Sequence, residues 1–303
     1  MIKTLRFALA FFLAALVSSS TVSAQIEKGH YVAGVEGIKA ASLPPPGVYF
    51  RWYNVFYGAD KLMDKSGDEL PVNFDVSVYA MVNRLIWITD KKFLGGNFGM
   101  DLLIPFVRTD LKIGAPMNVD DQQFGVGDLY LEPFVLSWHG PRYDAAVGVS
   151  FFLPTGQYSK TEPASAGQDF TTTMLTFGYT FYLDPAKAWS LSVLGRYEIN
   201  GEKGETKVKP GHDLVLEWGL AKNVAKVWDI GLSGYYVGQL TDDSGATALW
   251  DTSVHDRVFA IGPEVSAFIM PAKMFLSVRS VWETGAKDRS QGHSTCITLT
   301  KIF

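Results

Sequence analysis

The sequence predicts an all-β membrane protein, a transmembrane antiparallel up-and-down β-barrel of about twelve strands with long extracellular loops and short periplasmic turns. Three observations predict it. Apolar and polar residues alternate with period two along most of the chain. The connections between alternating segments switch between long and short. The chain is 47% hydrophobic and 14% aromatic, yet beyond its N-terminus no stretch supplies the roughly 20 apolar residues of a spanning helix.

Composition removes other classes. Lys+Arg 27 stand against Asp+Glu 31, the opposite of a basic nucleic-acid binder. With 19% charged residues and abundant aromatics the chain is not a disordered polymer. A single Cys excludes an intrachain disulfide and a thiolate-rich metal site.

The elements follow in order. Lys3 and Arg6 precede the apolar run from Phe7 to Val17, then a Ser-rich stretch ends in Val22-Ser23-Ala24. Residues 1–24 therefore read as a secretory signal peptide. Residues 25–47 hold Gly29, Gly34, Gly37 and Pro44-Pro45-Pro46-Gly47. Prolines cannot donate to a ladder, so this is a stiff lead-in that is periplasmic or inserted in the lumen. Residues 48–303 form the barrel.

Strands are expected at 48–57, 72–89, 97–110, 125–138, 142–154, 169–183, 188–199, 211–221, 227–238, 255–269, 273–283 and 295–303. In 72–89 one face carries Phe74, Val76, Val78, Ala80, Val82, Ile86 and Ile88, with Arg84 as the exception. That face is assigned to lipid and the other to the lumen. Segments 58–70, 111–124, 155–168, 200–210, 239–254 and 284–294 are expected as the long loops. An even strand count puts both termini in the periplasm, and lipid tolerates no open edge. Trp52, Trp87, Trp138, Trp189, Trp218, Trp228 and Trp282 mostly sit near strand ends, as interface girdles do. Phe303 ends the chain aromatically, with Lys301 on the same face.

The inward face carries the functional information. Its expected acids are Asp75, Asp101, Asp128, Glu132, Asp144, Glu198, Asp213, Glu217, Asp229, Asp256, Glu264 and Glu283; its expected bases are Arg51, Arg196 and Arg279. Such a lumen concentrates cations and repels small anions. Pairing of these acids with Arg and Tyr across strands is the structural alternative. Tyr49, Tyr53, Tyr79, Met81, Leu103, Tyr130, Phe134, Phe152 and Met174 are expected on the same face, as a lumen strip or as ordinary packing.

No catalytic constellation stands out. His30, His139, His212, His255 and His293 are scattered, and neither a GxSxG nor an HExxH motif occurs. Asp120-Asp121 and Asp242-Asp243 read as solvated loops before they read as calcium sites. Gly125-Val126-Gly127-Asp128 is followed by strand alternation, not by a phosphate-loop helix. No cofactor and no metal are expected.

Several short motifs occur in a specific order: Gly29-His30-Tyr31 with Gly34 and Gly37; Leu43-Pro44-Pro45-Pro46-Gly47 with Tyr49; Gly125-Val126-Gly127-Asp128-Leu129 with Pro133; and Leu153-Pro154-Thr155-Gly156 with Tyr158. Through them the chain resembles the outer-membrane channel family of meta-pathway phenol degradation proteins, also called SphA-like. The resemblance implies a bacterial outer-membrane barrel for passive uptake of small hydrophobic or aromatic compounds, not an enzyme. The implied partners are outer-membrane lipids, those substrates and the outer-membrane assembly machinery, with no nucleic acid. The alternative reading is a structural or ligand-binding barrel with a closed lumen.

Overall fold

The computed structural model describes residues 29–248 and 250–303. The signal-peptide reading of residues 1–24 lies outside the described residues. Strands β1 (Gly47–Leu62), β2 (Phe74–Phe93) and β3 (Gly96–Ile113) are the longest, at 16, 20 and 18 residues. They are followed by β4 (Val119–Val126), β5 (Leu129–His139), β6 (Tyr143–Leu153), β7 (Thr172–Tyr182) and β8 (Trp189–Asn200). The chain then continues through β9 (Asp213–Val224), β10 (Trp228–Gln239), β11 (Arg257–Ile269), β12 (Met274–Lys287) and β13 (Ser290–Ile302).

Sequential antiparallel pairing runs around the wall, and β1 pairs with β13 to close it. The thirteen segments fill twelve wall positions, because β4 and β5 share one edge of β3. The upper half of β3 pairs with β4 and the lower half with β5. Closure leaves no unpaired edge in hydrocarbon. Leu175, Phe177, Tyr179, Phe181, Leu191, Val193, Ile230 and Leu232 form part of an exposed apolar outer band. Trp87, Trp189, Trp228 and Trp282 are among its exposed aromatics. Among the described residues no helix is long and apolar enough to cross a membrane.

Two expected long loops are mostly strand. Residues 284–294 are not a long loop: β12 and β13 continue upward and meet at Asp288-Arg289. The stretch looked like a loop because it is polar on both faces, which a strand can be where it rises out of lipid. The 111–124 segment is likewise a hairpin between β3 and β4.

The phase of β2 is opposite to the sequence expectation. Phe74, Ala80, Arg84, Ile86 and Ile88 are buried and point inward, while Leu85 and Trp87 are exposed. The upper parts of β1, β2 and β3 explain the inversion. There Ala59, Leu62, Phe74, Leu111 and Ile113 pack with Ala164 of a loop into an apolar cluster. On the outside, Asp75 pairs with Lys112, and Ser77 with Asp110. The usual barrel polarity is thus reversed where the wall rises into water. Asp75, Tyr79 and Met81 therefore lie on the outer face: Tyr79 donates to Asn54 at 2.8 Å, and Met81 pairs with Asn54 across the strands.

A bulge in β5 produces a further correction. The register slips between Leu131 and Phe134, around Pro133. A one-residue slip exchanges faces. Glu132 is buried above it and Val135 below it, so Phe134 turns outward. Its ring lies against Phe93 and Phe98, with centroids 6.3 and 5.8 Å away.

Candidate functional site: a charged constriction

Residues 29–46 supply the centre of the site. They form no strand and only one short 3-10 turn, Gly37–Lys39, which lies against β8, β9 and β10. The Tyr49 hydroxyl holds the proline run by donating to the Pro45 carbonyl at 2.7 Å. Close approach to β9 depends on Gly219, where a Cβ would sit 2.4 Å from the Ile38 Cα.

Without a ladder, the backbone amides of this segment need other acceptors. Strand side chains provide them. His30 and Tyr31 donate their N–H groups to Glu198 at 2.9 and 3.0 Å. Glu36 N–H donates to Glu217 at 3.1 Å, Ile38 N–H to Glu264 at 2.9 Å, and Ala41 N–H to the Ser192 hydroxyl at 3.1 Å. Arg279 donates to the carbonyls of Gly34 and Val35 and lies 3.4 Å from Glu264. The Tyr31 hydroxyl donates to Glu217.

The Glu36 carboxylate is clamped by three guanidinium groups. Arg84 approaches it at 2.6 Å, Arg51 at 2.8 Å and Arg196 at 3.1 Å. Arg84 also reaches Asp101 at 2.6 Å and stands 3.7 Å from Glu132. The Tyr53 hydroxyl accepts from Arg84 at 3.1 Å. Arg196 lies over the Tyr31 ring, 4.0 Å from its centroid. Beside Glu36 is a cavity of about 30 Å³, lined on its apolar side by Leu43, Val135, Ala146 and Leu194. That is room for about one water molecule.

Towards the extracellular mouth, Asp128 ties three parts together. It accepts from Gly156 N–H at 2.8 Å and Gln168 N–H at 2.7 Å, and it lies 2.9 Å from the His30 ring nitrogen. The His30 ring stacks on Phe152 at 4.9 Å and meets Phe170 edge-on at 4.4 Å. Tyr130, Phe152 and Met174 pack together, with Tyr31 and Leu103 against them. Asp213 accepts from Asn200 at 3.1 Å, and Asp256 pairs with Arg289 at 3.0 Å. Glu283 accepts from Tyr57 at 2.9 Å and Tyr235 at 2.7 Å. At the periplasmic end Asp144 accepts from Tyr182 at 2.5 Å and lies 3.0 Å from His139. Asp229 pairs there with Lys39 at 2.8 Å.

The site therefore gathers eleven of the twelve expected acids without Asp75, and the three expected arginines. Sequence reasoning missed Arg84, Arg289, Glu36 and His30. Arg84 carried a usable signal: a charge in mid-strand is costly on a lipid face, so it marks the inward one. Arg289 was hidden by the expected loop. These additional bases make the interior a paired network, not a bare acidic surface. Among the described residues no cluster of three or more His, Cys, Asp or Glu side chains could hold a metal ion.

The model of the family described as MetA-pathway of phenol degradation covers residues 59–299. The chain belongs to this family. No curated protein matches this family member in sequence. An outer membrane channel from Pseudomonas putida F1 is similar in fold, with a TM-score of 0.75 over 92% of this chain and 100% of that chain at 14% identity. The translocator domain of the autotransporter NalP from Neisseria meningitidis gives a TM-score of 0.53 over 86% and 90%, at 10% identity. This phenol-degradation family member is an all-β closed barrel, and it shares its fold with that outer membrane channel.

Proposed function

We propose that this family member is a passive outer-membrane channel for small molecules, hydrophobic or aromatic in class, and that residues 29–46 form its constriction. The reading takes residues 25–47 as a unit separate from the barrel of residues 48–303. One observation carries it. The wall closes by its own ladders, and among the described residues no backbone–backbone hydrogen bond ties residues 29–46 to it; strand side chains hold the segment instead. The segment can therefore shift without opening a ladder. Burying so many charges in a purely structural barrel brings little stability, because desolvation offsets most of the Coulombic gain. A route for solutes gives such an interior a use.

The solute class is supported by the family description and by the aromatic cluster of Tyr31, Tyr130 and Phe152, which lies at the level of the constriction because Leu103 pairs with both Arg84 and Tyr130. Weak contacts suit a channel, since tight binding would slow release.

The test is planar-bilayer recording of the full mature chain, together with entry of phenol into proteoliposomes. Discrete conductance of cation preference and protein-dependent phenol entry are expected. Well-folded protein giving neither would overturn the channel. That result would favour the second reading, a structural or ligand-binding barrel with a closed lumen, for which the small cavity beside Glu36 speaks.

A further inference from the structure

We propose that Arg51, Arg84 and Arg196 form a binding site for a small aromatic monocarboxylate, and that Glu36 occupies this site as a tethered competitor. The proposal deepens the channel reading and rests on it for its physiological use.

Geometry is the first support. Three guanidinium groups converge on one carboxylate at 2.6, 2.8 and 3.1 Å, with the Tyr53 hydroxyl 3.4 Å away. Guanidinium groups recognise carboxylates through such charge-assisted contacts. The clamp is made by the wall, from β1, β2 and β8, whereas its occupant comes from the inserted segment. Among the described residues, Glu36 is the carboxylate within ion-pair distance of Arg51 and of Arg196. Removing it leaves two buried or half-buried cations in search of an anion.

Unfilled valence is the second support. Among the described residues, the Nε atoms of Arg84 and Arg196, the Tyr130 hydroxyl and the Thr176 hydroxyl are buried without a hydrogen-bond partner. Arg84, Arg196 and Thr176 line the cavity beside Glu36. These groups can satisfy more polar atoms than Glu36 brings.

The class of ligand follows from the remaining lining. Val135, Ala146 and Leu194 of the wall face the cavity on the apolar side. A carboxylate carrying a flat apolar group matches charge at one end and this lining at the other. The present volume of about 30 Å³ is too small for a ring, so binding requires residues 36–43 to move. The ligand thus takes the place of Glu36, Ala40 and Leu43 together. A tethered carboxylate competes at an effective concentration of about millimolar or more. Free ligand then binds the wild-type chain weakly and a chain lacking Glu36 at least tenfold more tightly.

Benzoate is the probe, and benzamide and acetate are the controls. The full mature chain and Glu36→Ala are compared by calorimetry and thermal unfolding, with folding checked by heat-modifiable gel mobility. Benzoate should bind Glu36→Ala at least tenfold more tightly than wild type and restore its lost thermal stability. Benzamide lacks the charge and acetate lacks the ring, so both should do less. Adding Arg51→Gln to Glu36→Ala should abolish the gain. Equal benzoate affinity in wild type and Glu36→Ala, or equal rescue by benzamide, would overturn the site.

Should Glu36→Ala fail to fold, the wild-type chain still decides. Saturating benzoate, but not benzamide, should accelerate protease cleavage within residues 29–46; equal rates would overturn the proposal. Bilayer recording separates the two ideas. Benzoate binding with neither conductance nor phenol entry keeps the site and sinks the channel, while conductance without benzoate binding does the reverse.

Discussion

Arg51 and Arg84 stand directly opposite each other on neighbouring strands, and the Glu36 carboxylate lies between them, 2.8 Å from one and 2.6 Å from the other. Like charges facing across an antiparallel pair repel. The bridging carboxylate turns that repulsion into attraction. Breaking a buried ion pair by removing one partner costs about 3–5 kcal/mol, so Glu36→Ala should be among the most destabilising changes in residues 29–46. Arg51→Leu should cost less in the Glu36→Ala background than in wild type. A double-mutant cycle by urea unfolding in detergent measures this, and a coupling energy near zero would contradict the bridge.

The barrel itself was legible because lipid imposes a strong pattern: apolar residues out, closed ladders, short turns beneath. The pattern fails where its cause ends. Above the membrane the outer face of β2 meets water, and Asp75 and Ser77 sit outside while Phe74 packs inside. The sequence still alternates there, but with reversed meaning. Pro133 hides a register slip that no periodicity records until the strands are paired. The grouping of Glu36 with Arg51, Arg84 and Arg196 joins segments up to 160 residues apart. Local spacing carries no trace of such a contact.

Asp184, in the turn before β8, sets a pH dependence. Backbone N–H groups of Ala188 and Trp189 donate to its carboxylate at 3.1 and 2.8 Å and hold its pKa below the ordinary aspartate value. A depressed folded pKa contributes stability above the unfolded pKa of about 3.9, and that stability is lost as pH falls through the folded value. Asp184→Asn should therefore lower the unfolding temperature at pH 7. The difference from wild type should shrink towards zero as pH falls through the lowered folded pKa. A constant difference across this range would show that the carboxylate charge is not involved.

Gly219 controls how closely the segment sits against the wall. Its missing Cβ leaves room for the Ile38 backbone, whose Cα, C and O atoms lie 2.4 to 2.7 Å from where a Cβ would be. Backbone cannot yield as a flexible side chain can. Gly219→Val should push residues 37–39 off β9 while leaving the strand pairing intact, since valine suits a strand. Faster proteolysis within residues 29–46, with unchanged heat-modifiable mobility of the barrel, is the expected outcome. Wild-type proteolysis would mean the contact does not hold the segment.

The bulge at Pro133 makes a prediction that a regular strand would reverse. In unbroken alternation Tyr130, Glu132 and Phe134 share a face. In the observed register Tyr130 pairs with Phe152 and is buried, whereas Phe134 pairs with Val149 and touches the outer aromatics Phe93 and Phe98. A tryptophan at 134 should thus meet lipid, and one at 130 should not. Each is introduced singly, and its fluorescence is compared in ordinary and brominated lipid, with wild type as the background. Phe134→Trp should add a strongly quenched component and Tyr130→Trp a weakly quenched one. Equal quenching would restore the regular strand. It would also return Phe134 to the lumen and require Val135 to leave its packing with Tyr49, Ile86 and Ile88. The lipid experiment therefore tests the register on which the inner lining of β5 depends.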